Sequence, residues 1–377
     1  MKIVLTGVET NNKGAELMLY AILQEIERKF PDATVYVEAR TVPQGLSYIK
    51  TKLRLKYWPL SKFLKTTHVN GILSHLRMPI FKDTKAVKAD FYFDASGFLF
   101  SDQCKLWGTT PEYWEKLLSR QYNHKAKIVF LPQAFGPFNL ELTRNALKVL
   151  GKYSSIIMPR EEISYNFIKE TGLVDMSKVR MYKDFTSLVE GTFPAKYKKL
   201  RNGICVIPNY SMIEQRLMSY DEYVKFLACV VNEARKSNRP VFLLNHEGIR
   251  DGELAYRCQK SVGGDIDVVT GLNALDVKGL ISSAYLVITS RFHGLASAFN
   301  SCVPCLATSW SHKYEELFKD YKIDNCVLPI SDLEKVAIRI NQVLEEKENT
   351  KMRVHLKKQL LIMQKEANEM WKEVWSL

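Results

Sequence analysis

The chain has 377 residues, more than one hydrophobic core usually organises, so two domains of similar size are expected. Hydrophobic residues make up 46% and charged residues 25%, which excludes a disordered chain, and 54 lysines and arginines against 41 acids give +13, a balance favouring anionic partners. No stretch reaches about 18 consecutive apolar residues and the opening MKIVLTGVETNNKG is too polar for a cleavable signal, so a cytoplasmic protein is expected.

In chain order, KIVLTGV reads as a parallel strand buried on both faces, ETNNKGAE as a polar loop, and Leu19, Ile22, Leu23, Ile26 and Phe30 as one face of a helix. ATVYVEA, DFYFDASG, KIVFLPQ and SSIIMPR are further apolar runs separated by helical patterns, the signature of a parallel α/β sheet. Residues 41–88 interrupt this series, with Asp83 as their only acid among many lysines and arginines and with Tyr57, Trp58 and Phe63 interleaved. That segment reads either as a solvated insertion or as a peripheral contact with an anionic membrane or glycan lipid.

TSLVEGTFPAKYKKLRNG, around 186–203, reads as a linker. A second α/β series follows: GICVIPN, the helix-like SYDEYVKFLACVVNEARKS, then PVFLLNHEG, IDVVTG, AYLVITS and PCLATSW. The expected domains are 1–188 and 202–350, followed by an amphipathic helix over 351–377 that packs on the protein. Two such domains in tandem place a ligand in the cleft between their strand ends. The seven cysteines form no framework, and CVPC at 302–305 has no second pair at zinc spacing, so reduced thiols and no metal are expected.

Polar residues gather where strands end. In TSRFHG, a strand runs into a helix whose free N–H groups favour an anion; Arg291 adds a fork donor, His293 can exchange a proton beside it, and Gly294 would let a ligand approach the backbone. Alternatively, Arg291 is an ion-pair partner and His293 a satisfied histidine. NHEGIRDG offers His246, Glu247 and Asp251, without the second histidine of a zinc protease, and SWSHKYEEL offers Ser311, His312 and Lys313. Asn11, Asn12, Lys13 and Glu16 follow the first strand, Asp94 and Ser96 the strand DFYF, Gln133 the strand KIVFL, and Arg160 the strand SSIIM. The P-loop and G-x-G-x-x-G patterns are missing, and no Asp-x-Asp stands at a strand end.

SRFHGLASAFNSCVPCLATSWSHKYEELFKDY, MPREEISYNFIKETG and NNKGAELML together resemble the polysaccharide pyruvyl transferases, and DASGFLFSDQ, LPQAFGPF and HEGIRD are similar to stretches of one branch. The resemblance covers nearly the whole chain. It implies two facing Rossmann-like domains, as in B-type glycosyltransferases, with the active site in the interdomain cleft, and a metal-independent transfer of pyruvate from phosphoenolpyruvate to a sugar as a ketal. It implies that Arg291, His293 and, from the opposite wall, Arg160 serve the donor. Lys313 matches a lysine position, with its usual aromatic neighbour displaced to Trp310.

On this reading His293 and Asp94 are the acid and base, with Glu16 a second candidate base. Phe292, Gly294, His246, Ser311 and Lys313 join the arginines around phosphoenolpyruvate, on the 202–350 side. Asn12, Lys13, Glu16, Ser96 and Gln133 face a sugar or lipid-linked oligosaccharide. No cofactor beyond phosphoenolpyruvate as co-substrate and no nucleic-acid partner are expected. The competing readings are a nucleotide-sugar glycosyltransferase of the same fold and a non-catalytic glycan-binding protein.

Overall fold

A computed structural model describes residues 1–8, 12–37, 53–55, 87–308, 312–324 and 326–377, with backbone alone at 53–55, 312 and 313. The chain forms two compact units: Met1–Asn11, Ala15–Leu188 and Lys365–Leu377 make the first, Asn12–Gly14 and Val189–Gln364 the second. Two parts of the chain thus differ from the sequence expectation. Residues 12–14 cluster with the second unit, and the C-terminal helix is shared out at residue 365 rather than standing as a separate element.

The first unit holds β1 (Lys2–Thr6), β2 (Thr34–Val37), β3 (Leu53–Leu55), β4 (Phe91–Asp94), β5 (Lys127–Gln133) and β6 (Ile156–Pro159), in the order β3-β2-β1-β4-β5-β6. Every pairing is parallel. Its helices are α1 (Lys13–Lys29), α2 (Pro111–Asn123), α3 (Glu141–Tyr153) and α4 (Glu162–Thr171). The strands are unbroken apolar runs because helices cover both sheet faces. Local signals fix the ends: Thr110 caps α2 by accepting from the Tyr113 N–H, with Pro111 in the first turn, and Gly172 closes α4 in the left-handed region at φ 65°.

The second unit repeats the scheme with β7 (Ile204–Ile207), β8 (Val241–Leu244), β9 (Asp267–Val269), β10 (Leu286–Thr289) and β11 (Cys305–Ala307), in the order β11-β10-β7-β8-β9, again all parallel. Its helices are α5 (Ser211–Glu214), α6 (Tyr220–Arg235), α7 (Gly248–Ser261), α8 (Ala274–Ser282), α9 (Phe292–Phe299), α10 (His312–Asp320), α11 (Leu333–Leu344) and α12 (Glu346–Ser376). A capping box, Ser219 with Glu222, starts α6.

Helix α12 serves each unit by a different stretch. Met352, Leu356 and Met363 belong to the core of the second. In the first, Trp371 and Trp375 stack at 5.4 Å, Trp375 meets Phe91 and Phe93 edge-on or tilted at 5.3 and 5.6 Å, and its indole N–H donates to Glu25 at 2.9 Å.

Both sheets have the doubly wound order in which the winding reverses beside the first strand of the unit. The reversal falls between β1 and β4 in the first and between β7 and β10 in the second. Ligands of such sheets bind outside the carboxyl ends of the strands at that reversal. Among the described residues no helix is long and apolar enough to cross a membrane.

Candidate active site

In the second unit the reversal point is organised around Arg291, the N-cap residue of α9. Its backbone N–H donates to Thr289 Oγ1 at 2.9 Å. The preceding residue, Ser290, is held by three others: its carbonyl accepts from Asn209 Nδ2 and from the Tyr314 hydroxyl, both at 2.7 Å, and its Oγ accepts from the Tyr223 hydroxyl at 2.8 Å. Asn209 and Tyr223 are fully buried. The β10–α9 turn is therefore rigid before any ligand arrives.

The guanidinium of Arg291 is enclosed by carboxylates. Its Nε and Nη2 each lie 2.7 Å from Asp251 Oδ2, and Nη1 pairs with Glu247. Asp251 is 1% exposed and also accepts from the Tyr210 N–H at 2.9 Å, while Glu247 is the N-cap residue of α7. Burial works against the charge of Arg291, but the hydrogen bond and charge of Asp251, followed by Glu247, hold its pKa above the ordinary value. Arg291 is thus a buried ion-pair centre, with two of its five N–H donors left over by these three bonds. The sequence offered anion clamp and ion-pair partner as alternatives; the ion pair is present, and it is buried rather than on the surface.

Three more cationic or titratable groups surround this centre. His246, just beyond β8, is 3% exposed and its Nδ1 has no hydrogen-bond partner. Burial first, then the positive charges of Arg291, His293 and Lys13, hold its pKa well below 6.5, so the imidazole is neutral at pH 7. His293 lies over Gly14: a Cβ built on that glycine would fall 2.1 Å from His293 Cε1. Asn12 shapes the turn leading to Lys13 by accepting from the Gly14 N–H at 2.9 Å. The positive charges that act on His246 thus come from two stretches of the chain, 12–14 and 291–293, and leave its buried ring uncharged.

Gly294 carries a packing constraint that the sequence did not indicate. A Cβ there would meet Thr289 Oγ1 at 2.7 Å and Ile207 Cδ1 at 3.0 Å, so the glycine is required for packing of α9 on the sheet. Phe292 likewise packs edge-on against Tyr314 at 5.7 Å and His293 at 5.3 Å. Ser311 and the side chain of Lys313 lie outside the described residues, as does the basic segment apart from the backbone of β3 and its last two residues.

In the first unit the reversal point is organised around Asp94, which has no exposed surface. Ser96 Oγ lies 2.7 and 2.8 Å from its two oxygens, the Ser96 N–H donates to Oδ1 at 3.2 Å, Gln133 Nε2 donates to Oδ1 at 3.1 Å, and Thr6 Oγ1 is 3.1 Å from Oδ2. Burial raises the pKa of Asp94, and the hydrogen bonds from Ser96, Gln133 and Thr6 oppose that shift. Gln133 Oε1 is buried without a partner. Gly7 lets the chain pass Ser96, since a Cβ there would lie 2.4 Å from the Ser96 nitrogen.

Arg160, just beyond β6, donates from Nε to Glu161 at 3.0 Å, and Glu161 in turn accepts from Ser164. Glu16 is buried on α1. The structure thus brings Asp94, Ser96 and Gln133 together in one unit, and Lys13, His246, Arg291 and His293 together in the other. Asn209, Tyr223, Thr289 and Thr6 were missed; the one available signal was that Thr6, Asn209 and Thr289 stand at or just beyond strand ends. Among the described residues no three His, Cys, Asp or Glu side chains converge as metal ligands.

Residues 12–312 match the sequence profile described as polysaccharide pyruvyl transferase. The chain belongs to that family. The matched region of this pyruvyl transferase family member includes Asp94, Ser96 and Gln133 at the first reversal point and Asp251, Ser290 and Arg291 at the second, while Thr6 and Tyr314 lie just outside it. No match was found among curated proteins.

Solved structures share the fold. The UDP-GlcNAc 2-epimerase of Neisseria meningitidis bound to UDP-GlcNAc superposes with a TM-score of 0.62 at 11% identity, over 100% of both chains. The Anabaena protein HepE in complex with UDP-glucose gives 0.58 at 13%, over 99% of this chain and 100% of that one. The UDP-GlcNAc 2-epimerase of Methanocaldococcus jannaschii gives 0.56 at 10%, over 92% and 94%. The fold is that of these proteins: two Rossmann-like units, B-type in glycosyltransferase terms.

Proposed function

We propose that the protein transfers pyruvate from phosphoenolpyruvate to a sugar of a cell-surface polysaccharide or its lipid-linked precursor, forming a ketal. The observation that carries this reading, beside family membership, is the grouping at the second reversal point of Arg291, of His293 packed against Gly14 next to Lys13, and of the buried His246 with its unpartnered Nδ1. Phosphoenolpyruvate is small and carries a phosphate and a carboxylate, and fixed cations in a partly dry site hold such an anion well. Lys13, expected from the sequence on the acceptor side, is reassigned to the donor because residues 12–14 cluster with the second unit; it and the two spare N–H groups of Arg291 take the anionic groups, and His246 offers Nδ1 to the same molecule.

His293 gives a proton to the methylene carbon of phosphoenolpyruvate, which becomes a methyl group, and the adjacent carbon becomes electrophilic. A sugar hydroxyl adds to that carbon and gives its proton to the His293 imidazole left by the first transfer. The carbon–oxygen bond to phosphate breaks, and a neighbouring hydroxyl closes the ketal as its proton leaves with the departing phosphate. Asp94 is assigned as the organiser of Ser96 and Gln133 toward the acceptor, in place of a free base, because its oxygens already accept from Ser96, Gln133 and Thr6. Arg160 is reserved for the donor as the family pattern implies.

The second reading, a nucleotide-sugar transferase, is favoured by one observation: two of these structural neighbours were solved with UDP-glucose and UDP-GlcNAc. Thermal melting separates the two. Phosphoenolpyruvate at 100 times its Kd is expected to stabilise the protein by about 2.7 kcal/mol, and UDP- or GDP-sugars to leave the Tm unchanged. A response to a nucleotide sugar alone would overturn the pyruvyl transfer reading.

A further inference from the structure

From Asn349 to Gln364, helix α12 contains no acid, against Lys351, Arg353, His355, Lys357 and Lys358. One side of this stretch is committed to the second unit: Met352, Leu356 and Met363 are buried, and Arg353 donates to the carbonyls of Ala284 and Tyr285 at 2.8 and 2.9 Å. At 3.6 residues per turn the opposite side carries Lys347, Lys351, Val354, Lys358, Leu361 and Ile362. There Val354 is 52%, Leu361 62% and Ile362 45% exposed.

Other surface lysines of this unit take an acid one turn away: Lys236 pairs with Glu233 at 2.7 Å, Lys319 with Glu316 at 2.7 Å and Lys335 with Asp332 at 3.0 Å. Lys358 has Val354, His355, Leu361 and Ile362 at the corresponding positions, and Lys357 has Arg353, Val354, Leu360 and Leu361. A helix face built only for water gains from acids there. On this face Lys351 reaches Glu348 at 3.9 Å, but Lys357 and Lys358 have no acid one turn away and stand among exposed aliphatic side chains instead. That pattern suits a helix lying along a bilayer, its aliphatic groups between acyl chains and its lysine stems reaching up to anionic headgroups.

We propose that this face of α12 docks the protein on an anionic lipid bilayer. The charge complementarity is local as well as global, since the whole chain carries +13. The inference does not depend on the reaction catalysed. A bilayer fits better than a nucleic acid because no aromatic ring on this face could stack on a base.

The test is co-sedimentation of the full chain with vesicles of phosphatidylcholine alone and of an equimolar mixture with phosphatidylglycerol. Binding is expected only to the mixture. The variant Lys351→Glu/Lys357→Glu/Lys358→Glu is expected to lower the partition coefficient on the order of a hundredfold, each basic residue near the surface contributing about fivefold. Leu361→Ser/Ile362→Ser is expected to remove the part of binding that survives high salt. All these positions are exposed, and an unchanged Tm confirms the fold. Absence of wild-type binding would overturn the proposal. So would loss of binding in Lys50→Glu/Lys52→Glu/Arg54→Glu while the α12 variants bind as wild type.

Discussion

The two reversal points have the same topology and opposite polarity. In the first unit a buried carboxylate, Asp94, is surrounded by neutral donors from Thr6, Ser96 and Gln133. In the second a buried guanidinium, Arg291, is locked by Asp251 and Glu247, with further cationic groups around it. One centre is an anion satisfied by dipoles and the other a cation satisfied by anions. Charged hubs of this kind fix side-chain directions, and the proposed function assigns them different ligands, hydroxyls to the first and an anion to the second.

The contrast can be broken most forcefully at Asp251. Asp251→Ala leaves Arg291 buried with only Glu247, and a loss of about 3–5 kcal/mol is expected by urea denaturation. A loss below about 1 kcal/mol would show that the pair is not what holds the turn. Gly14→Ala comes next: the new Cβ displaces His293, and turnover is expected to fall roughly a hundredfold with phosphoenolpyruvate affinity less affected. Equal losses in kcat and in binding would place His293 in binding alone.

Asp94→Asn keeps the shape but turns an acceptor into a donor facing other donors, at a cost of about 1–3 kcal/mol. Wild-type stability in that variant would remove Asp94 as the hub. The smallest effect is expected from His246. Its folded pKa is depressed below 6.5, so the unfolded chain binds the proton first as pH falls. Stability is therefore present above 6.5 and declines below it, by up to about 1.4 kcal/mol per pH unit, and His246→Gln should flatten that slope. Parallel pH curves would refute the neutral imidazole.

Much of the fold is legible in the sequence because parallel strands covered on both faces must be apolar throughout, as ICVI and LVIT are. Polar residues right after those runs then mark the strand ends. What could not be read is the pairing across long separations. Nothing local in TSRFHG tells that Arg291 is held by residues 40 and 44 positions earlier, or that Gly14 makes room for His293. The packing constraint at Gly294 is hidden for the same reason: its neighbours are Thr289 and Ile207, and Ile207 is distant in sequence. The long amphipathic stretch 352–374 announced a helix, but not that residues before and after 365 serve different cores.

The most direct test of the account is calorimetric titration of phosphoenolpyruvate into wild type, Lys13→Ala and His293→Gln, with UDP-glucose as the comparison ligand. Lys13 is chosen because Arg291 variants also disturb a buried ion pair. The account predicts saturable binding of phosphoenolpyruvate to wild type, a weakening of about tenfold or more in Lys13→Ala, and near-wild-type binding in His293→Gln, whose defect lies in proton transfer. Binding that is indifferent to Lys13, or binding of UDP-glucose alone, would contradict it.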